Sequence, residues 1–192
     1  MKNTTEDLSD EQLVELVRSE DQELYAELVG RYQEKLLRYA GYFLRDRGRA
    51  EDVVQEAFIK AFINLRGFNT KKSFSSWIYR IVHNGALNYI KKYRRELPLD
   101  EPFLQRLATR DRGPEEILEK EEAEELLGEC LDQLPLKYSA PLVLFYLEEK
   151  SYAEISNVLR ISVGTVGTRL RRGKKLARGI CTQEGGKNYG RK

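Results

Sequence analysis

The stretch Ser151–Arg178, SYAEISNVLRISVGTVGTRLRRGKKLAR, contains two short segments with apolar residues at helical spacing, separated by a turn. Serine followed three residues later by glutamate, at Ser151 and Glu154, is the capping-box pattern of a helix start. Ser162 is the predicted N-cap of the second helix, and Arg160–Ser162 is short enough to be the turn between the two helices. The stretch therefore predicts a helix-turn-helix unit.

The second helix of this unit carries a dense basic surface, with six Lys and Arg residues among the ten positions from Arg169 to Arg178. With its apolar side subtracted, the residues predicted to face outward near its start are Thr165, Thr168, Arg169, Arg171 and Arg172. In a helix-turn-helix the second helix enters the DNA major groove, where arginine offers two donors to guanine and lysine suits phosphates. The alternative is a solvated basic face, which the helix dipole would also stabilise. The cap, the turn and the charge occur together, which favours DNA binding.

Helical periodicity extends over almost all of the 192 residues, and alternating strand patterns are missing. A capping box at Ser9–Gln12 predicts the first helix, and three prolines within residues 97–114 predict a linker. The other helices are predicted at residues 21–45, 49–66, 74–95 and 115–133, with another ending at Leu147. We therefore predict an all-α fold: two small helical domains joined by a flexible linker, the second containing the helix-turn-helix. The predicted divisions are a first domain at 1–96, the linker at 97–114, a second domain at 115–178 and a flexible basic tail at 179–192.

The formal net charge of +2 conceals strong charge segregation along the chain. Residues 1–95 carry +3, residues 96–133 carry −9 and residues 134–192 carry +8. The basic last third predicts a polyanionic partner, either nucleic acid or an anionic membrane. The two cysteines match neither a disulfide framework nor a zinc spacing, and no apolar run is long enough to span a membrane. These features predict a cytoplasmic protein.

The predicted helix at residues 74–95 has a second candidate surface opposite its apolar stripe. Aromatic, amide and cationic side chains follow one another there at spacings of three and four: Trp77, Arg80, Asn84, Asn88, Lys91 and Arg95. Aromatic rings stack on unpaired bases, amides offer paired donors and acceptors, and cations hold the phosphate backbone. The alternative is that Trp77 belongs to the core and the amides are ordinary surface residues. The mixture favours a site for single-stranded nucleic acid.

Two long segments of the sequence resemble one known family. They are DVVQEAFIKAFINLRGFNTKKSFSSWIYRIVHNGALNYIKKYRR, Asp52–Arg95, and LPLKYSAPLVLFYLEEKSYAEISNVLRISVGTVGTRLRRGKKLAR, Leu134–Arg178. In order and spacing they resemble a bacterial RNA polymerase sigma factor of the extracytoplasmic-function (ECF) group. The resemblance implies that the first domain binds the clamp helices of the largest subunit of core RNA polymerase and captures the non-template strand of the promoter minus-ten element. It implies that the second domain reads the minus-thirty-five element and contacts the polymerase flap, and that an anti-sigma factor is a further partner.

The resemblance also implies roles for individual residues. Core-polymerase contacts match Asp52, Gln55 and Glu56. Minus-ten contacts match Lys60, Phe68, Trp77, Ile81, Asn84 and Asn88, and the loop Gly67–Ser73 is similar to the family's specificity loop, which holds a flipped base. Minus-thirty-five contacts match Thr165, Thr168, Arg169, Arg171 and Arg172. Gly167 departs from the family pattern, because Lys or Arg is usual there.

Other function classes fit the sequence less well. The single His83 has no partner at metal-ligand or triad spacing, which is typical of a solvated or partly buried histidine, and no glycine-rich phosphate loop is present. We therefore expect no enzyme activity, no metal and no cofactor. A membrane-binding helix would need a broader apolar side than Leu170 and Leu176 provide. The main alternative is a helix-turn-helix transcriptional regulator that binds duplex DNA independently of polymerase.

Overall fold

The computed structural model describes residues 7–96 and 133–188, and every regular element in these ranges is helical. The first range contains α1 (Asp10–Ser19), α2 (Tyr25–Leu44), α3 (Arg47–Asn64) and α4 (Phe74–Glu96), with 3-10 turns at Gln22–Leu24 and Leu65–Gly67. The second range contains α5 (Leu136–Leu142), a π-helical segment at Val143–Leu147, α6 (Tyr152–Leu159) and α7 (Val163–Asn188). The predicted all-α fold class is confirmed for these ranges. None of the described helices is both long enough and apolar enough to cross a membrane.

The chain divides into two compact units. The first contains α1 to α3 and α4 as far as Tyr93, and the second contains α5, α7 and most of α6. The predicted linker at 97–114 lies outside the described residues, and so does the predicted helix at 115–133 apart from Gln133. The last four residues, 189–192, lie outside them as well.

The predicted helix starts agree with capping hydrogen bonds. Ser9 Oγ accepts from Gln12 N at 3.2 Å and Ser9 N donates to Gln12 Oε1 at 2.9 Å, which completes the predicted capping box of α1. Ser151 and Glu154 make the same reciprocal pair at the start of α6. Ser162 Oγ accepts from the backbone N of the third residue of α7 at 3.1 Å. Each bond satisfies a backbone donor that the first helical turn leaves without an intrahelical partner.

Aromatic side chains of α2 and α4 form the centre of the first unit. Tyr39 and Tyr79 are fully buried, and their ring centroids lie 5.3 Å apart. Phe74, the first residue of α4, is also fully buried and meets Tyr32 of α2 edge-on. The helix α3 packs against α2, so that α2 lies in the middle of the unit. This core fixes the start of α4, a helix that carries part of the candidate site.

The second unit depends on a close approach of α5 and α7. A Cβ atom added to Gly173 of α7 would lie 2.8 Å from Leu142 Cδ1 and 3.3 Å from the backbone oxygen of Tyr138. Only glycine fits there without a shift of the Leu142 side chain or of α5. Pro141 lies within α5 and supplies no backbone donor, and π-helical hydrogen bonding begins two residues later, at Val143.

The carboxyl end of α7 differs from the prediction. A flexible tail is predicted from residue 179, but α7 continues to Asn188. Ala177 and Ile180 are both buried, so the helix carries core residues past Arg178. Once a helix is formed, each further residue adds a hydrogen bond at little cost. The predicted end of the helix at Arg178 was therefore wrong.

Candidate nucleic-acid interface

A surface pocket of about 480 Å³ is formed by α3, the loop after it and α4. It is lined by Lys60, Asn64, Gly67, Phe68, Trp77, Ile81, Asn84, Gly85 and Asn88. The six residues that the resemblance matches to minus-ten contacts are all in this group, so the structure brings every one of them to the same pocket. Gly67, the first residue of the loop that is similar to the specificity loop, lines it as well, and so do Asn64 and Gly85, which were not predicted as site residues.

One wall of the pocket is aromatic. The ring centroids of Phe68 and Trp77 lie 4.7 Å apart and their planes are inclined by 30°. Phe74 meets both rings edge-on, at 5.9 Å from Phe68 and 5.8 Å from Trp77. Centroid distances in this range are those of favourable aromatic pairs. Phe68 belongs to the loop and Trp77 to α4, so this cluster attaches the loop Gly67–Ser73 to the helix.

The amide side of the pocket lies along α4. Ile81, Asn84, Gly85 and Asn88 are spaced by three and four residues, which places them on one face of the helix. Asn84 and Asn88 are exposed to solvent. A Cβ atom at Gly85 would lie 3.0 Å from Val53 Cγ1 of α3. The glycine therefore allows α3 and α4 to approach closely. This packing explains the presence of a residue that destabilises a helix interior by about 0.5–1 kcal/mol relative to alanine.

The α3 side of the pocket supplies a cation and an amide. Lys60 is exposed, and its Nζ lies 2.7 Å from Glu56 Oε2 one turn earlier. Asn64 Nδ2 donates to the backbone oxygen of Lys60 at 2.7 Å. Asn64 follows Lys60 by four residues on the same face of α3. That spacing is the sequence signal that could have identified Asn64.

His83 belongs to the core and not to the pocket. The pattern favours a solvated or partly buried histidine, but the residue is only 8% exposed. Its Nδ1 is hydrogen-bonded to Tyr39 Oη at 2.9 Å, and Phe43 meets the ring edge-on. Burial lowers the pKa of His83 to about 4, so the imidazole is neutral at pH 7. No group of three or more His, Cys, Asp and Glu side chains among the described residues could hold a metal ion.

A second surface lies on the solvent side of α3. Asp52, Gln55 and Glu56, the residues matched to polymerase contacts, are all exposed there. Ile59 and Ile63, one and two turns further on, are 54% and 71% exposed. These large apolar side chains were missed, although their spacing from Gln55 and Asp52 places them on the same side of the helix. The surface therefore combines charged and amide groups with exposed aliphatic ones.

The turn before α7 has the geometry that the sequence predicts. Arg160 ends α6 in the left-handed region, with φ at 55°. Ser156 Oγ donates to the backbone oxygen of Ile161 at 2.6 Å, which holds the turn against α6. Ser162 then caps α7. The predicted helix-turn-helix is present.

The predicted DNA-reading residues of α7 differ in exposure. Thr168, Arg171 and Arg172 are exposed, while Thr165 and Arg169 are half-buried. The hydroxyl of Thr168 donates to the backbone oxygen of Gly164 at 3.0 Å. Gly167 stands where Lys or Arg is usual in the family that the sequence resembles. Packing does not explain the glycine, because a Cβ there would make an ordinary contact, 3.6 Å from Tyr152 Cε2.

Comparison with known proteins gives matches over both units. The family model for Sigma-70 region 2 matches residues 28–96, and that for Sigma-70 region 4 matches residues 124–176. The ECF RNA polymerase sigma factor SigW of Bacillus subtilis (strain 168) is 32% identical over 173 residues, which cover 86% of this chain and 92% of SigW. The ECF RNA polymerase sigma-E factor of Haemophilus influenzae is 33% identical over 181 residues, with 89% of this chain and 94% of the relative covered.

Two solved structures share the fold. CnrH in complex with the cytosolic domain of CnrY has a TM-score of 0.64 at 24% identity, covering 91% of this chain and 97% of that chain. RpoE in complex with the anti-sigma factor NepR from Bartonella quintana has a TM-score of 0.61 at 16% identity, covering 82% and 96%. The likeness to curated relatives over almost their whole length, together with the two matched regions, identifies the family. The chain belongs to the ECF RNA polymerase sigma factors of the sigma-70 family.

Proposed function

We propose that this chain binds core RNA polymerase, directs it to specific promoters and helps to melt the DNA at initiation. Membership of the ECF sigma factors supports the general role. The observation that carries the residue-level proposal is the pocket, which gathers all six residues matched to minus-ten contacts. We retain the division into a region 2-like domain at 1–96, a linker at 97–114 and a region 4-like domain from 115 as part of the proposal.

Strand opening in this account is driven by base capture. Removing a base from the duplex costs a few kcal/mol in lost pairing and stacking. Stacking on an aromatic side chain returns about 1–3 kcal/mol per base. The Phe68–Trp77 wall supplies the aromatic surface, Asn84 and Asn88 supply amide donors and acceptors, and Lys60 supplies a cation for the phosphate backbone. The chain needs no covalent chemistry, so the proposal includes no enzyme activity and no cofactor.

The solvent side of α3 is the proposed polymerase-binding surface. Asp52, Gln55 and Glu56 offer polar contacts to the clamp helices, and the exposed Ile59 and Ile63 extend the surface with apolar area. Exposed aliphatic side chains next to polar ones give a surface that can bury apolar area and also form hydrogen bonds with a partner. Because the surface and the pocket share α3, polymerase binding and base capture would act on one helix.

The helix-turn-helix is the proposed reader of the minus-thirty-five element. The amino-terminal part of α7 would lie in the major groove, which is about 12 Å wide and admits one helix. Arg171 and Arg172 are exposed there and present guanidinium groups to bases or phosphates. Thr165, Thr168 and Arg169 complete the proposed set of contacts.

We also propose regulation by an anti-sigma factor. CnrH has been solved with the cytosolic domain of CnrY, and RpoE of Bartonella quintana with the anti-sigma factor NepR. Both proteins share this fold, which supports a partner of the same kind for this chain. The proposed location of the chain is a separate matter: bacterial transcription occurs in the cytoplasm, so we propose that the chain acts there.

The test is transcription in vitro with core polymerase and a library of genomic fragments. Core polymerase with the chain is expected to initiate at a defined set of sites that core polymerase alone does not use. Two variants are compared in this assay. Asn84→Ala in the pocket should reduce initiation at these sites, whereas Gln33→Ala on the exposed surface of α2 should not. Equal start-site use with and without the chain would refute the proposal.

A regulator that binds duplex DNA independently of polymerase is not favoured, because the curated relatives are RNA polymerase sigma factors over almost their whole length. The two functions differ in a simple binding assay. A regulator would retain promoter fragments without polymerase, whereas the proposed sigma factor would retain them only with the core enzyme.

A further inference from the structure

The helix α1 contributes no residue to the pocket, yet two of its side chains hold both ends of the loop Gly67–Ser73. Arg18 contacts the segment that enters the loop, and Glu11 contacts the residue that follows it. The two residues are seven positions apart, so they lie on the same face of α1. The capping box at Ser9 and the buried Leu13, Val14 and Val17 fix this helix against the rest of the unit.

At the start of the loop, Arg18 binds two backbone carbonyl groups. Its Nε donates to Leu65 O at 2.8 Å, and its Nη2 donates to both Leu65 O and Phe68 O. The Arg18 side chain is only 16% exposed, and Glu15 holds Nη1 from the other side at 3.2 Å. Leu65 O also accepts from Phe68 N at 3.1 Å, so the guanidinium uses the second lone pair of that oxygen and meets the partial negative charge at the end of the helix.

At the end of the loop, Glu11 caps α4. Glu11 Oε1 accepts from Phe74 N at 2.9 Å. This amide belongs to the first residue of α4, where backbone donors have no intrahelical acceptor and a carboxylate is favoured by the helix dipole. Phe74 in turn meets Phe68 and Trp77 edge-on. The position of the aromatic wall is therefore linked to α1 at both ends.

We propose that Arg18 and Glu11 are positioning residues that hold the loop Gly67–Ser73, and with it Phe68, in the geometry that captures a base. The proposal rests on the proposed function, in which this pocket binds an unpaired base of the minus-ten element. Neither residue touches DNA in this account. Both act through the backbone of the loop and the start of α4.

Lysine cannot replace Arg18 in this role. Arginine has five donors in a planar fork and reaches two carbonyl groups at once, whereas lysine has a single flexible ammonium. Arg18→Lys keeps the charge and most of the apolar stem but removes the fork. Glu11→Gln keeps an acceptor oxygen for Phe74 N, whereas Glu11→Ala removes it. Arg18→Lys therefore tests the forked contact at constant charge. Comparing Glu11→Gln with Glu11→Ala tests the acceptor oxygen apart from the charge of the carboxylate.

The first measurement is made on the full chain without DNA. Trp77 is the only tryptophan, so acrylamide quenching of its fluorescence reports on the Phe68–Trp77 wall directly. Quenching is expected to increase in Arg18→Lys and Glu11→Ala, and to stay at the wild-type value in Glu11→Gln. Arg47→Lys, at a side chain that is 92% exposed, is the matched control. Unchanged quenching in both Arg18→Lys and Glu11→Ala would overturn the proposal, even if the chain proved not to act with polymerase.

The second measurement uses the chain with core polymerase on a promoter that the wild-type protein recognises, with single-base changes across the minus-ten element. Arg18→Lys is expected to reduce the ratio between the best and worst base at the captured position by up to about tenfold, because the loop that holds the base loses one charge-assisted hydrogen bond. A purely structural residue would lower transcription from all templates by the same factor, and that result would overturn the proposal. Failure of the wild-type chain to initiate would instead refute the proposed function.

Discussion

The ring centroids of Phe68 and Trp77 lie 4.7 Å apart, so a loop residue and a helix residue together form one wall of the pocket. The remaining lining residues are Gly67 of the loop and residues of α3 and α4, two helices that approach closely at Gly85. Because the pocket is assembled from three segments, its function can be altered by residues on its surface or by residues that set its geometry.

Asn84→Ala should reduce promoter opening while leaving the fold intact. The side chain is exposed on α4, and exposed substitutions of this kind change the free energy of unfolding by no more than about 0.5 kcal/mol. Loss of amide contacts to a captured base should reduce open-complex formation about tenfold. Heparin-resistant complexes on a recognised promoter provide the measurement, with Gln33→Ala as the control. Wild-type levels of these complexes would remove Asn84 from the site.

Arg172→Ala should weaken upstream recognition and not melting. Loss of one arginine contact to a base costs about 1–3 kcal/mol of discrimination. Transcription from a promoter with an intact minus-thirty-five element should fall, whereas transcription from one with that element scrambled should change little. Arg47→Ala, at a side chain that is 92% exposed and lies outside α7, serves as the control. A similar fall on both templates would show that Arg172 does not read this element.

Acidification should destabilise the first unit through His83. The pKa of the buried imidazole is lowered to about 4 from a usual value near 6.5, so the unfolded chain binds this proton more readily than the folded one. The stabilising contribution is complete above pH 6.5, falls as the pH drops, and is lost near pH 4. It amounts to about 3 kcal/mol.

Urea unfolding between pH 7 and pH 4 measures this contribution. Carboxylates also titrate in the range, so the informative quantity is the difference between wild type and His83→Gln. That variant should be less stable at pH 7, but its free energy of unfolding should decline less steeply with falling pH. Parallel curves for the two proteins would contradict the low pKa of His83.

Gly173→Ala should destabilise the second unit by about 1–3 kcal/mol through overpacking. The added Cβ would lie 2.8 Å from Leu142 Cδ1 and 3.3 Å from the Tyr138 backbone oxygen, and this backbone atom cannot rotate away as a side chain can. Gly179→Ala is the matched control in the same helix, because its Cβ would meet nothing within 4 Å. The control should be neutral or slightly more stable, since alanine favours helices over glycine by up to about 1 kcal/mol. Thermal unfolding of both variants checks the difference; equal melting temperatures would rule out the close approach.

The parts of the fold that could be predicted from sequence are those encoded in neighbouring residues. The capping boxes at Ser9 and Ser151 depend on pairs three residues apart, and the helix-turn-helix depends on a short contiguous stretch. The continuation of α7 past Arg178 was not predicted, because it depends on burial of Ile180 in the folded unit. Local patterns contain no such information.

The candidate site was predictable to a similar extent. The spacing along α4 identified Trp77, Asn84 and Asn88, whereas Phe68 was matched only through family resemblance. Arg18 could not have been identified, because it contacts Leu65, which is 47 residues away in sequence. Its role depends on tertiary packing that places α1 beside the end of α3.

The pocket of α3, α4 and the loop Gly67–Ser73 is proposed to capture an unpaired base while the chain is bound to core polymerase. The most direct test compares Asn84→Ala/Asn88→Ala with wild type on a duplex promoter and on the same promoter with the minus-ten element held open by mismatches. The double variant should lose most of its activity on duplex DNA and less on the open template, where melting no longer has to be driven by base capture. Equal activity of variant and wild type on the duplex, or initiation by core polymerase that is the same with and without the chain, would contradict it.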